Sequence, residues 1–188
     1  MKKNILIAIF VLGLVYILIP DPGTINDYPP LPNSLKSDEP GDTYQIQNIA
    51  AYFSNFDRSF ITYFYRQSYR DKFLFGFLLP PISVNHPPKY ALSTIRDQLF
   101  YVTFLEEYIY PLRGSILVAG YEPAVENDMV GADSNFYSDR IHINGNYYVS
   151  KTTLKSFHTT WYSRLFVYLG IWFSVFAIYK IFKKVKYG

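Results

Sequence analysis

The chain has 188 residues, of which 49% are hydrophobic, 20% aromatic and 18% charged. This composition suits a folded chain of about one domain and excludes wholesale disorder, and the absence of cysteine excludes disulfides, thiolate metal sites and a cysteine nucleophile. All 15 acidic residues lie between Asp21 and Asp139, so residues 21–162 carry 11 basic against 15 acidic groups, a balance of −4; a nucleic-acid partner, which needs positive charge on the folded part, is excluded.

Residues 1–20 read as an N-terminal transmembrane anchor. From Asn4 to Pro20 only Asn4 and Tyr16 carry polar side-chain groups, and about 17 residues at about 1.5 Å each give roughly 25 Å, the short end of what crosses a bilayer core. Lys2 and Lys3 would suit a signal peptide, but bulky Tyr16, Ile17, Leu18 and Ile19, followed by Pro20 and Pro22, stand where cleavage needs small side chains. The anchor is therefore expected to stay uncleaved. Residues 21–42, with prolines 22, 29, 30, 32 and 40, read as a Pro-rich linker or a strap over the following domain. Asp42 and Gln45 have the spacing of a capping box.

Residues 43–162 are expected to form an extracytoplasmic α+β domain. Ile46, Ile49, Phe53, Phe56, Phe60 and Tyr63 recur at steps of three and four, predicting one long amphipathic helix over 43–72 whose stripe faces the core or a partner. Phe73–Leu79 is an apolar run that stops at Pro80 and Pro81, too short to span; it reads as a segment in the outer headgroup layer or as a buried loop or strand. Pro88 opens a second predicted helix, with Leu92, Ile95, Leu99, Val102, Leu105 and Ile109 in its stripe and Pro111 as its stop. Ser115–Ala119 reads as a buried strand and 121–138 as an acidic loop. Asn144-Gly145 between two strand-like runs predicts a hairpin, because a type I′ turn needs positive φ at both central residues. Val149, Lys151, Thr153 and Lys155 alternate into the final segment. The predicted fold class is α+β: two long amphipathic helices and a small antiparallel sheet, flanked by N- and C-terminal transmembrane helices.

Residues 163–188 read as the C-terminal transmembrane helix with a basic tail. Leu165–Phe182 is the apolar run, Lys180 can snorkel, and Trp161, Tyr162, Tyr179 and Tyr187 lie where interfacial aromatics belong. Lys2, Lys3, Lys180, Lys183, Lys184 and Lys186 mark the outer ends of the two runs. By the positive-inside rule this predicts a cell-membrane protein with both termini cytoplasmic and residues 21–162 extracytoplasmic.

No catalytic or cofactor motif is present: ten glycines occur in no phosphate-binding pattern, and His86, His142 and His158 share no metal-ligand spacing. Asp128, Asp133 and Asp139 with Asn127 and Asn135 lack the register of a calcium loop. On a helix Glu106 and Glu107 would point about 100° apart, and on a strand Ser150 and Lys151 would face opposite ways. No catalytic, cofactor-binding or metal residue is assigned, and no cofactor is expected. The expected role is a scaffold or accessory subunit, partnered by membrane lipid and by another membrane or envelope protein or a second copy. One alternative is an envelope enzyme with a site assembled from Glu106, Arg113, Asp139 and His142; another is envelope lipid or polymer binding through Phe73–Leu79.

Several segments are distinctive: Glu39-Pro40-Gly41-Asp42, His86-Pro87-Pro88-Lys89-Tyr90-Ala91, Ile95-Arg96-Asp97, Leu105 through Arg113, and Gly120-Tyr121-Glu122-Pro123. Together with the terminal runs, these resemble an uncharacterised family of small two-pass membrane proteins from candidate-phylum bacteria. The resemblance covers most of the chain and implies a bacterial membrane setting. It implies no activity, and no functional residue is carried over from it.

Overall fold

The computed structural model describes residues 2–20, 24–87, 89–90, 102–120 and 141–187. They form an α+β fold around a six-stranded antiparallel sheet with strand order β1-β2-β8-β5-β4-β3. In chain order the sheet strands are β1 (Leu35–Lys36), β2 (Ile49–Ser54), β3 (Ile82–His86), β4 (Phe104–Tyr110), β5 (Gly114–Gly120) and β8 (Ser150–His158). A separate hairpin joins β6 (Ile141–Ile143) to β7 (Asn146–Tyr148). The described helices are α1 (Lys2–Leu18), α2 (Pro40–Thr43), α3 (Arg58–Asp71) and α4 (Trp161–Tyr187), with a 3-10 turn at Ile25–Asp27.

The hairpin expected at Asn144-Gly145 is present, with φ of 50° and 79° at the two turn residues. The strand expected at 115–119 is β5, and the alternating residues after Val149 lie in β8. The two long helices need correction. Helix replaces coil only from Arg58, where the Asp57 carboxylate accepts from the Phe60 amide. Residues 49–54, expected to be helical, are β2, which lies between β1 and β8 and is buried along its whole length. Asp42 does not cap a helix start; it lies inside α2, whose first residue is Pro40. Likewise 104–110 are not the end of a second helix but β4, paired with β3 on one side and β5 on the other. Pro88 and Leu92–Leu99 lie outside the described residues. The sheet is consequently larger, and the helical part smaller, than the periodicity suggested.

One face of the sheet carries the aromatic core. Ile61, Tyr65 and Tyr69 of α3, spaced four apart, pack on Tyr108, Tyr110, Ile116 and Val118. The buried stripe of α3 is thus displaced from the expected one: Phe60 and Tyr63 are exposed. Ile25, Tyr28 and Leu31 bring residues 24–31 over the same core as a strap. The opposite face is smaller and holds Ile49, Leu105, Leu117 and Ala119.

α1 and α4 pack against each other outside the sheet. The Tyr168 hydroxyl donates to the Phe10 carbonyl at 2.7 Å, and the Phe10 ring meets Trp172 edge-on. Gly13 is needed here, since a Cβ would collide with the Tyr168 ring. α4 is long and apolar enough to cross a membrane, whereas α1 is a shorter apolar helix.

Candidate functional site

The most heavily built polar site lies where the helices meet the sheet. Tyr110, Pro111, Leu112 and Arg113 make the β4–β5 turn, closed by the Arg113 amide donating to the Tyr110 carbonyl at 3.0 Å. Pro at the second position and Leu112 at φ 63° give the type II pattern, which normally places Gly or Asn where Leu112 stands. The turn sends the Arg113 side chain inward, 1% exposed as a residue, against the end of α1. Its Nη1 donates to the Tyr16 and Ile19 carbonyls at 2.9 and 2.8 Å, and its Nη2 to Pro20 at 2.8 Å. These are the carbonyls a helix C-terminus leaves without intrahelical partners, and a cation there is favoured by the helix dipole. The guanidinium also lies 4.5 Å from the Phe73 ring centre and 5.5 Å from that of Tyr16. Arg164, from the first turn of α4, adds a bond to Ile19 at 3.2 Å. Thr159 donates its amide and hydroxyl to the Arg113 carbonyl, and Tyr16 donates its hydroxyl to Pro111. One arginine thus joins the end of α1, the β4–β5 turn and the start of α4. Beside it a shallow groove of about 360 Å³ runs between Leu18, Pro20, His158, Trp161 and Arg164.

The residues weighed as an enzyme site are not brought together. Arg113 is at this junction. Glu106 is on the α3 face of β4, where Arg58 donates Nε and Nη2 to it at 3.2 and 3.0 Å. The Tyr108 hydroxyl lies 2.7 Å from Glu106 Oε2 and 3.0 Å from the Thr62 carbonyl, so one proton serves two acceptors. Burial, reinforced by the Glu106 carboxylate, pushes the Tyr108 phenol well above its usual range. His142 is exposed on the separate hairpin, its ring 4.7 Å from Tyr147. Asp139, with Asp128, Asp133, Asn127 and Asn135, lies outside the described residues.

Two further clusters were not legible beforehand. Glu107, on the opposite side of β4 from Glu106, accepts from Ser115 at 2.5 Å and lies 2.8 Å from His86 Nε2. The carboxylate stands between hydroxyl and imidazole, so it is Glu107, and not the His86 ring, that meets the serine proton, and the Ser–His contact of a serine–histidine nucleophile is not made. The second cluster centres on Lys151, whose side chain is 2% exposed and reaches Asp42 at 2.9 Å and Glu39 at 3.7 Å. Asp42 also accepts from the Ser37 hydroxyl at 2.6 Å. Ser150 faces the other way, against Ser54 at 2.8 Å, so no Ser–Lys dyad forms. Among the described residues no group of three His, Asp or Glu is placed to hold a metal.

Phe73–Leu79 divides in two. Phe73 is buried, touching Tyr110, Tyr16 and Arg113, while Leu74, Phe77, Leu78 and Leu79 are exposed. No family model, curated protein or solved structure matches the chain.

Proposed function

We propose that the protein is a two-pass membrane protein that holds an aromatic-rich domain at the outer surface of the cell membrane, as a scaffold or accessory subunit for another envelope protein or a second copy. The observation that carries this reading is the clamp of Arg113 and Arg164 on the end of α1. It fixes an apolar helix pair to the domain, while the polar clusters elsewhere close on themselves. α1 presents Ile5, Leu6, Ile7 and Leu12 outward, which suits lipid and not water. α1 and α4 run antiparallel, and counting along both from the Phe10–Trp172 contact puts Lys3 about level with Tyr179, at about 1.5 Å per residue in each helix. The basic ends of both helices therefore share one side, as the positive-inside rule requires of two spans. Phe60 and Tyr63 on the outer side of α3 offer an aromatic surface for a partner.

Protease added to spheroplasts should cut between residues 24 and 160, and crosslinking in mild detergent should trap a stable assembly. A central segment spared in spheroplasts but cut in inverted vesicles would overturn the topology. A monomer that crosslinks to nothing would overturn the scaffold role.

A further inference from the structure

We infer that the Phe73–Pro81 loop and the Leu112 turn form a third contact with the bilayer, inserting side chains into the headgroup and acyl boundary beside the two helices. The inference rests on the two-span reading above and adds a lipid-binding surface to it.

The loop and the turn lie at the end of the sheet that meets the helices. β5 and β8 pair Gly114 with His158, and β3 and β4 pair Ile82 with Ile109, so one end of the sheet gathers the β4–β5 turn, the start of β3 and the start of α4. Phe73 binds the loop to that end through its ring contacts with Tyr16 and Arg113. The loop therefore stands beside the terminus of α1, at the level where Trp161 and Tyr162 are exposed at the start of α4.

That end of the sheet is apolar on its outside. Leu74 is 71% exposed, Phe77 78% and Leu78 63%, with Leu79, Ile82 and Leu112 also open. No charged residue occurs from Phe73 to Pro81. Outside the helices, the large aliphatic side chains exposed among the described residues all belong to this loop, to Ile82 at its end or to the Leu112 turn. At the far end, residues 142–147 of the hairpin expose His142, Asn144, Asn146 and Tyr147 instead.

The loop is also held in shape by its own backbone. The Gly76 amide donates to the Phe73 carbonyl at 2.8 Å, and the Leu78 and Leu79 amides donate to Phe75 at 3.0 and 2.8 Å. Any side chain at Gly76 would strike the Arg70 carbonyl. Consecutive turns thus hold the apolar side chains outward. Leu112 adds to this: it occupies a left-handed position that Gly would take with less strain, yet its side chain faces outward. A lipid boundary accounts for an exposed leucine kept there. The occupant is the bilayer that holds α1 and α4, since the surface is continuous with the ends of those helices that meet the sheet and carries no charge to bind a polar polymer.

The chain has no cysteine, so single spin labels report cleanly. Full-length protein carrying Phe77→Cys, Leu78→Cys or Leu112→Cys, with Asn146→Cys and Phe173→Cys as references, would be reconstituted in phosphatidylcholine vesicles without any partner. Collision rates with oxygen and with a water-soluble nickel complex give the depth of each label. The labels at 77, 78 and 112 should be oxygen-accessible and shielded from nickel several-fold relative to 146, with 173 deeper still. Labels at 77, 78 and 112 as open to nickel as 146, with 173 in lipid, would overturn the inference and leave the span intact. A water-exposed label at 173 would overturn the two-span reading and this inference with it. Unchanged near-ultraviolet dichroism in each variant confirms that the label sits on the native fold.

Discussion

At the end of the sheet where β8 passes into α4, Arg113 is drawn onto three backbone carbonyls of another element, and apolar side chains face outward. Toward the opposite end, Ser150 lies about 26 Å away along β8 at about 3.3 Å per residue. Next to it, Lys151 is drawn onto Asp42 and Glu39, and the neighbouring hairpin is polar. Both are buried cations, yet they do different things. Arg113 presents a planar fork of donors and satisfies helix carbonyls that would otherwise stay unbonded in a water-poor place. Lys151 is a point charge met by carboxylates, and it ties α2 and the residue before it, Glu39, to β8 within the domain. The comparison teaches that a cation near the helices is spent on joining elements, whereas one far from them is spent on closing the domain's own surface.

Arg113→Ala should have the largest effect. It takes the guanidinium donor from the Tyr16 and Pro20 carbonyls, leaves Ile19 to Arg164 alone and removes the packing on Phe73, and should cost about 4 kcal/mol in detergent unfolding. Arg113→Lys should recover only part of the loss, because an ammonium cannot span carbonyls on both sides of the fork. An Arg113→Ala chain as stable as the parent would show that the clamp is incidental. At the other end Asp42→Ala should cost about 3 kcal/mol by removing the nearer carboxylate from buried Lys151, while Asp42→Leu with Lys151→Met should be close to neutral in the same assay. Equal losses in both variants would mean that the ion pair itself, and not the buried charge left poorly matched, sets the stability. The smallest effect concerns the aromatic face. Tyr110 has its phenol pushed up to about 12, chiefly by burial and further by Tyr16. In the unfolded chain it titrates near its ordinary value of 10.0, so the folded state holds the extra proton. Stability is fully present below that unfolded value and falls as pH rises toward about 12, by about 1.4 kcal/mol per pH unit for such a group. Tyr110→Phe should flatten the fall in denaturant midpoint between about pH 10 and about pH 12 by that amount. An unchanged slope would show that this phenol ionises freely in the folded chain.

The misread helices have a common cause. Ile49 with Phe53 and Leu105 with Ile109 are spaced by four, and a step of four returns to the same side of a helix and of a strand alike. Periodicity therefore could not separate the two, and neighbours in space decided: β2 is flanked by β1 and β8, and β4 by β3 and β5. Where local chemistry is specific, the reading succeeded, as at Asn144-Gly145, whose turn geometry few other residue pairs allow. Glu106 and Glu107 were rightly expected not to converge, but they diverge as strand neighbours on opposite faces, with Arg58 and His86 as separate partners. The Glu107–Ser115–His86 cluster depends on diagonal neighbours across three strands, which requires the register and not the order of residues.

Taken alone, the order of residues determined an α+β chain with an apolar helix at each end, a buried strand at 115–119 and a hairpin at 144–145. Each of these rests on interactions within a few residues, where propensity and turn geometry act. Tertiary structure alone decided that 49–54 and 104–110 are strands, that Phe73 is core while Phe77 faces outward, and that Arg113 holds the end of α1. Those outcomes depend on partners outside the local window, from the neighbouring strands of β4 to Tyr16, 97 residues from Arg113 along the chain. Backbone groups and charges buried at such places must find a partner, and only the folded chain supplies one.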